Sequence, residues 1–242
     1  MSGTETAVIV GVGPGLGASL GRRFAREGMQ VALAARRRER IEPFAAEIGP
    51  LGGSGMAYAC DATDEAQVRA LFDSVERDFG VPDVVVFNAS GRVRKSVVDI
   101  EVAEFEQAWR QACLGGFVVG REAARRMLPR AESERGTRGT ILFTGATASV
   151  KAYALSAGFA VGKFGLRALA QSMARDFGPK GIHVAHIVID GGIRSERRPE
   201  DESNPDGLLD PDAIAETYLH LHRQHRSAWA QEIDVRPWVE SF

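Results

Sequence analysis

The chain has 242 residues, 44% of them apolar and 26% charged, which suits an α/β domain whose core needs neither disulfides nor a structural metal. A formal net charge of −2 excludes the strong basic field of a nucleic-acid binder or of a protein held on an anionic membrane, so a small molecule is the expected partner. No apolar run reaches the about eighteen residues of a membrane span, and the opening Met1–Thr6 stretch lacks the basic start and apolar core of a secretory leader, so a cytoplasmic protein is expected.

In chain order, β-branched apolar runs at 7–10, 30–34, 56–59, 83–87, 140–144 and 182–189 predict strands. Amphipathic stretches at 16–28, 37–48, 65–79, 101–128 and 156–178 predict helices between them. Strands joined through helices of a dozen residues or more must run parallel. Runs apolar on both faces, such as Val84-Val85-Val86-Phe87, belong in a sheet covered on each side. Right-handed crossovers then give an α/β, doubly wound parallel sheet with helices on both faces. Residues 1–242 show no internal repeat or linker and are read as one domain. The polar, charged stretches 130–139 and 195–210 predict surface loops. Asp210-Pro211 reads as a helix start, with Asp as cap and Pro in the first turn. The apolar tail 229–242 is expected to pack on the sheet edge or on another subunit.

Cys60 and Cys113 sit in no CxxC pair, so reduced thiols are expected and no metal site is predicted; a single disulfide stays open. His220, His222 and His225 cluster near one helix end without carboxylates or thiols to complete a metal shell, and a solvated or subunit-facing helix is expected there. His183 and His186 should point to opposite faces of their strand. Asp190, at a strand's C-terminal end, could line a ligand pocket or cap a turn.

After the first strand comes Gly11-Val12-Gly13-Pro14-Gly15-Leu16-Gly17-Ala18. Glycines let the backbone turn tightly and approach a pyrophosphate, while the following helix presents its unpaired N–H groups to the charge. Both GxxxGxG (11, 15, 17) and GxGxxA (13, 15, 18) fit, so this is a dinucleotide-binding loop of the Rossmann type. The second strand ends Ala34-Ala35-Arg36-Arg37-Arg38 with no carboxylate for ribose hydroxyls. A guanidinium fork suits an extra phosphate, so Arg36 predicts NADP(H) over NAD(H), with Arg37 and Arg38 read as the solvated start of a helix.

From residue 7 to about 195 the chain resembles the short-chain dehydrogenases and reductases. The loop GVGPGLG resembles that family's TGxxxGxG, with Val10 for Thr. Asp61-Ala62 resembles the pair that frames the adenine. Asn88-Ala89-Ser90 with Gly91 is similar to the NNAG segment, Phe87 replacing the first Asn. Gly191, Ile193 and Ser195 stand in a segment resembling PGxIxT, which holds the nicotinamide amide, with Asp190 for Pro. The resemblance implies a Ser, a Tyr four residues before a Lys, and an Asn on an earlier helix. Here Phe159 precedes Lys163 at that spacing, Ala146 stands at the Ser position and Ala112 at the Asn position.

The resemblance implies that tyrosine gives a proton to the carbonyl oxygen while serine bonds the oxyanion. Phe159 and Ala146 can do neither, although Lys163 can still bond the nicotinamide ribose. Three readings follow. A relocated acid serves a carbonyl reductase, with Tyr153 the foremost candidate and Ser149, Thr147 and Ser156 in its neighbourhood; a subunit contact is the other reading of Tyr153. Alternatively an activated C=C bond is reduced, the proton coming from water or elsewhere. In the third reading the chain is an inactive NADP(H)-binding sensor or assembly protein. The resemblance also implies a homodimer or homotetramer through helices 101–128 and 156–178, and loop 195–210 is expected to cover the substrate.

Overall fold

In a computed structural model, residues 4–196 and 198–240 are described. Met1–Gly3 of the opening stretch, Arg197 of the 195–210 loop, and Ser241 and Phe242 of the tail lie outside the described residues. Seven strands form one sheet: β1 (Thr6–Val10), β2 (Gln30–Ala35), β3 (Ser54–Ala59), β4 (Val84–Phe87), β5 (Gly139–Thr144), β6 (Ile182–Ile189) and β7 (Glu232–Val235). Their order is β3-β2-β1-β4-β5-β6-β7 and every pairing is parallel. This is the doubly wound sheet expected from the alternation of strands and helices.

Side-chain alternation along the strands builds two cores. Ile9, Leu33, Val86, Leu142 and Ile187 face one side, where α1 (Leu16–Arg26), α2 (Glu42–Ala46) and α7 (Pro211–Arg223) cover them. Val8, Ala32, Val85, Phe143 and Val184 face the other, beneath α3 (Glu65–Phe79), α5 (Gly115–Met127) and α6 (Ala157–Phe177). All four residues of β4 are fully buried, as its unbroken apolar run requires. Two aspartates start helices as their positions suggest. Asp64 Oδ1 accepts from Ala66 N and Gln67 N ahead of α3, and Asp210 Oδ1 accepts from Asp212 N ahead of α7.

Several expectations are corrected. The 37–48 stretch is not one helix: a 3₁₀ turn at Arg38–Arg40 precedes the short α2 and another follows at Gly49–Leu51, because Pro43 has no N–H to continue a helix and fits only its first turn. The 101–128 helix is α4 (Val102–Trp109), a π-helical turn at Arg110–Leu114, and α5. At that turn α6 comes very close. A Cβ on Gly162 would lie 2.8 Å from Ala112 Cβ, and one on Gly158 would lie 3.3 Å from Ala108 Cβ. His222 is buried rather than solvated: Nδ1 bonds Thr140 Oγ1 at 3.0 Å, and Nε2 meets Arg135 at 3.1 Å. Arg135 in turn pairs with Glu5.

The tail meets the sheet edge by becoming its last strand, β7. His183 and His186 do occupy opposite faces of β6. His183 stacks on Trp229 at 4.8 Å, and its two ring nitrogens lie 3.1 and 2.9 Å from the Leu221 and Ala230 carbonyl oxygens, only one of which a neutral ring can donate to, whereas His186 reaches Glu232. Both cysteines are free thiols. Among the described residues no helix is long and apolar enough to cross a membrane, and no group of three or more His, Cys, Asp or Glu is placed to hold a metal ion.

Glu232 fastens β7 to the rest of the molecule. Its carboxylate accepts from Arg167 at 2.6 and 2.7 Å and from His186 Nδ1–H at 2.9 Å. Replacing it with alanine strands a buried imidazole and a half-buried guanidinium, so Glu232→Ala is expected to cost about 1–3 kcal/mol. Urea denaturation at neutral pH checks this; an unchanged midpoint would show that backbone pairing alone holds the strand.

Candidate functional site

Connections from β1 run outward to β2 and β3, while those after β4 run the other way, so a crevice opens at the C-terminal ends of β1 and β4. A cleft of about 460 Å³ lies there. Its floor is the glycine loop, Gly11 to Pro14, and its sides carry Arg36, Asp61, Ala62, Asn88, Ala89 and Ser90. Gly11 has φ +92°, and a Cβ there would lie 2.3 Å from Ala89 N, so only glycine lets the two loops touch. Asn88 ties them together, its Nδ2 donating to Gly11 O at 3.0 Å and its backbone N to Val10 O at 2.7 Å. No side chain caps α1 at Gly15, and Ala18 N donates to the Gly13 and Gly15 carbonyls. Gly13 and Gly15 face open space, whereas Leu16 is buried in the core and Gly17 packs on Val12.

At the β2 side the cleft is more basic than the sequence suggests. Arg37 and Arg40 line it beside Arg36, and none of the three has an ion-pair or hydrogen-bond partner for its guanidinium among the described residues. Arg38 turns away and pairs with Glu42 at 3.0 Å. Arg37 is brought in because it is extended (φ −118°, ψ 96°), and the 3₁₀ turn Arg38–Arg40 swings Arg40 back. Asp61 accepts from Thr63 N and Oγ1 at 2.9 and 2.8 Å, which fixes the turn after β3.

A second pocket of about 390 Å³ adjoins the far end of the Asn88–Ser90 segment. Ala146, Phe159 and Tyr153 line it together, with Arg92, Arg94 and Gly191. Phe159 is 8% exposed and carries the Arg92 guanidinium over its ring, 4.5 Å from the centroid. Tyr153 is 55% exposed, with Lys151 Nζ 5.3 Å from its ring. Its backbone is held by Ser156, whose Oγ donates to Tyr153 O at 2.6 Å and accepts from Tyr153 N at 3.1 Å. Leu155, between them, has φ +64°, a conformation that branched side chains rarely adopt. Ser149 is fully buried and accepts from Ala146 N, so its hydroxyl serves the backbone; Thr147 remains on the pocket wall.

Lys163 lies behind this pocket, 2% exposed, with Nζ donating to Thr144 O at 2.6 Å. Burial, and then the charge of Arg92, push its amine down to about 8. Thr144 Oγ1 bonds the buried Tyr218 hydroxyl at 2.8 Å. Gly191 reaches the second pocket, but Ile193 packs against the core and pairs with Leu209, while Ser195 exchanges backbone bonds with Arg198. Asp190 faces Arg236 at 3.4 Å. Arg40, Arg92 and Arg94 escaped the sequence reading; the absence of nearby acidic residues at 88–95 was the one signal for the latter two.

Comparison with known proteins agrees with this geometry. The family described as short chain dehydrogenase matches residues 5–205. A short-chain dehydrogenase from Rhodopseudomonas palustris is 37% identical, with TM-score 0.83 over 97% of this chain and 99% of that one. Sorbitol-6-phosphate 2-dehydrogenase of Escherichia coli (strain K12) is 30% identical over 193 residues, 79% of this chain and 73% of the relative. The alcohol dehydrogenase of the archaeon Thermococcus sibiricus, solved with 5-hydroxy-NADP, shares the fold at 23% identity and TM-score 0.86, covering 98% of each chain. A nucleotide-sized crevice on a sheet of this order, matched by a family description over most of the chain, places the protein among the short-chain dehydrogenases, a family of oxidoreductases that use nicotinamide dinucleotides.

Proposed function

We propose that the protein is an NADP(H)-dependent oxidoreductase acting on a small carbonyl or activated C=C compound, without the Ser–Tyr pair usual in its family. The observation that carries this reading is the cleft, with the glycine loop at its floor and, along one side, three arginines without partners among the described residues. These residues fit a dinucleotide. Gly11, Gly13, Gly15 and Gly17, with Leu16 beginning α1, would hold the diphosphate through backbone N–H groups. Arg36, helped by Arg37 and Arg40, would neutralise the additional phosphate that distinguishes NADP(H). Asp61 and Ala62 would frame the adenine, Asn88, Ala89 and Ser90 the adjoining ribose, and Gly191, Ile193 and Ser195 the amide end, with Lys163 at the second ribose. The bound nicotinamide supplies or accepts hydride. That the relatives' printed names are those of dehydrogenases supports an oxidoreductase over an inactive binder.

Ala146 and Phe159 put a methyl and a phenyl where the family's hydroxyls are expected, so neither donates a hydrogen bond or a proton. Tyr153 is the phenol available in the same pocket, and we assign it the proton-donating role toward a carbonyl oxygen. For a C=C substrate, water entering past the exposed Tyr153 rim would protonate the carbon. Loop 195–210 would cover the substrate: it is tied at its base by the Ile193–Leu209 pairing and knit by Arg194 to Glu200 and Asp210. The exposed apolar residues Phe117 on α5 and Val161 and Phe164 on α6 support a dimer or tetramer through those helices. We assign the whole chain to one such domain, acting in the cytoplasm.

Three measurements test the reading. Arg36→Asp is expected to weaken NADPH binding at least about tenfold while sparing NADH, since it removes a charge-assisted phosphate contact; calorimetry showing equal affinity for both forms in the unaltered protein would end the NADP(H) assignment. Against a panel of ketones and enones, Tyr153→Phe should lower ketone turnover by about 10²–10⁴, and Ala146→Ser with Phe159→Tyr should raise it; absence of turnover on every member would remove the enzymatic reading. For Lys163, between pH 8 and its ordinary value of 10.5, the unfolded chain keeps a proton that the native state has released, so native stability rises with pH. The unfolding free energy of the unaltered protein minus that of Lys163→Met should therefore grow across this window, and a flat difference would mean that the amine titrates normally.

A further inference from the structure

The pocket beside Phe159 has one hydrocarbon wall and one cationic wall. Ala146, Ala148, Leu155, Phe159 and Ile189 form the first; Arg92 and Arg94 form the second, and among the described residues no Asp or Glu lines the space. Outside the first cleft, whose Arg36, Arg37 and Arg40 are also without partners among the described residues, many arginines of this chain are paired. Arg22, Arg126, Arg167 and Arg194 each hold a carboxylate, and Lys95, next to Arg94 in the chain, is bound to Glu104 at 2.6 Å. Arg92 and Arg94 hold none among the described residues. The contact of Arg92 with the Phe159 ring positions its guanidinium but cancels no charge. The result is two forks of N–H donors, shaped for carboxylate or phosphate oxygens, beside an apolar surface of the size of a short carbon chain.

The placement follows from the backbone. Asn88, Ala89 and Ser90 line the first cleft, and the same irregular segment then carries Arg92, Val93 and Arg94 along the second. The Lys95–Glu104 pair, together with the bond from Glu101 N to Glu104, fixes the far end of this segment to the start of α4. Two cations on an anchored segment, with no described acid lining the pocket, leave there a positive charge that an anion would neutralise.

We propose that the compound accepted by this pocket carries an anionic group, a carboxylate or a phosphate, held by Arg92 with Arg94 while its carbon chain lies on Phe159 and Ala146. That this compound is the substrate rests on the oxidoreductase reading; that the pocket selects an anion does not.

The test measures binding apart from turnover. The full-length protein, saturated with NADP⁺, is titrated calorimetrically with two matched pairs: levulinate against methyl levulinate, and dihydroxyacetone phosphate against dihydroxyacetone. At least one anion should bind about tenfold or more tightly than its neutral partner, the fold-change expected from one charge-assisted contact. The preference should shrink with added salt and vanish in Arg92→Gln/Arg94→Gln, whose melting temperature and NADP⁺ affinity report an intact fold. Which pair responds tells carboxylate from phosphate. Equal affinity within both pairs, no binding of either anion at millimolar concentration, or a preference that survives the double substitution would each overturn the proposal. Anion preference without turnover of any carbonyl or enone would keep it and discard the oxidoreductase reading, so the two failures are distinct.

Discussion

Parallel pairing of β1 with β2 on one side and β4 on the other is the constraint on which the rest of the molecule depends. It forces the chain to wind outward in two directions, so the loops after β1 and β4 diverge to opposite faces and leave a gap at the sheet's end. Gly11 and Ala89 then meet across the base of that gap at a distance no Cβ allows, and Asn88 bonds them together. Each element of the candidate site hangs from this junction. The glycine loop leads into α1, the β2 end delivers the arginines, and the segment after β4 carries donors from the first cleft to the second.

Much of this was readable in the residues because parallel strands buried on both faces leave long apolar runs, and because a glycine string between a strand and a helix has few other uses. What stayed hidden has a common physical cause: it depends on partners far away in the chain. β7 alternates Glu232-Ile233-Asp234-Val235 over four residues and becomes a strand through its pairing with β6 and the grip of Arg167. His222 looks like a polar helix residue until Thr140, Arg135 and Glu5 are brought around it. Arg40 reaches the cleft because Pro43 prevents the continuous helix that would have carried it to solvent.

The catalytic region shows the same division. The family resemblance set Phe159 and Ala146 beside Lys163, and the fold does bring Phe159, Ala146 and Tyr153 to one pocket. The resemblance could not reveal that Arg92 lies on Phe159, nor that Ala112 packs closely against Gly162 where α6 meets the π-helical turn. A larger side chain at 112 would have to push those helices apart. Close helix packing at Ala112 and the Arg92 stack on Phe159 thus shape this region from two sides.

The three buried imidazoles, His183, His186 and His222, carry a consequence of their own. Burial depresses the proton affinity of each, that of His186 to about 4, against an ordinary value of 6.5. Below that value the unfolded chain takes up protons that the native interior refuses, so mild acid drains stability well before the carboxylates titrate. Because His183 and His186 join β6 to Trp229 and Glu232, and His222 joins α7 to Thr140 of β5, acidification should loosen the carboxyl-terminal edge first, while the crevice on the other half of the sheet keeps its shape.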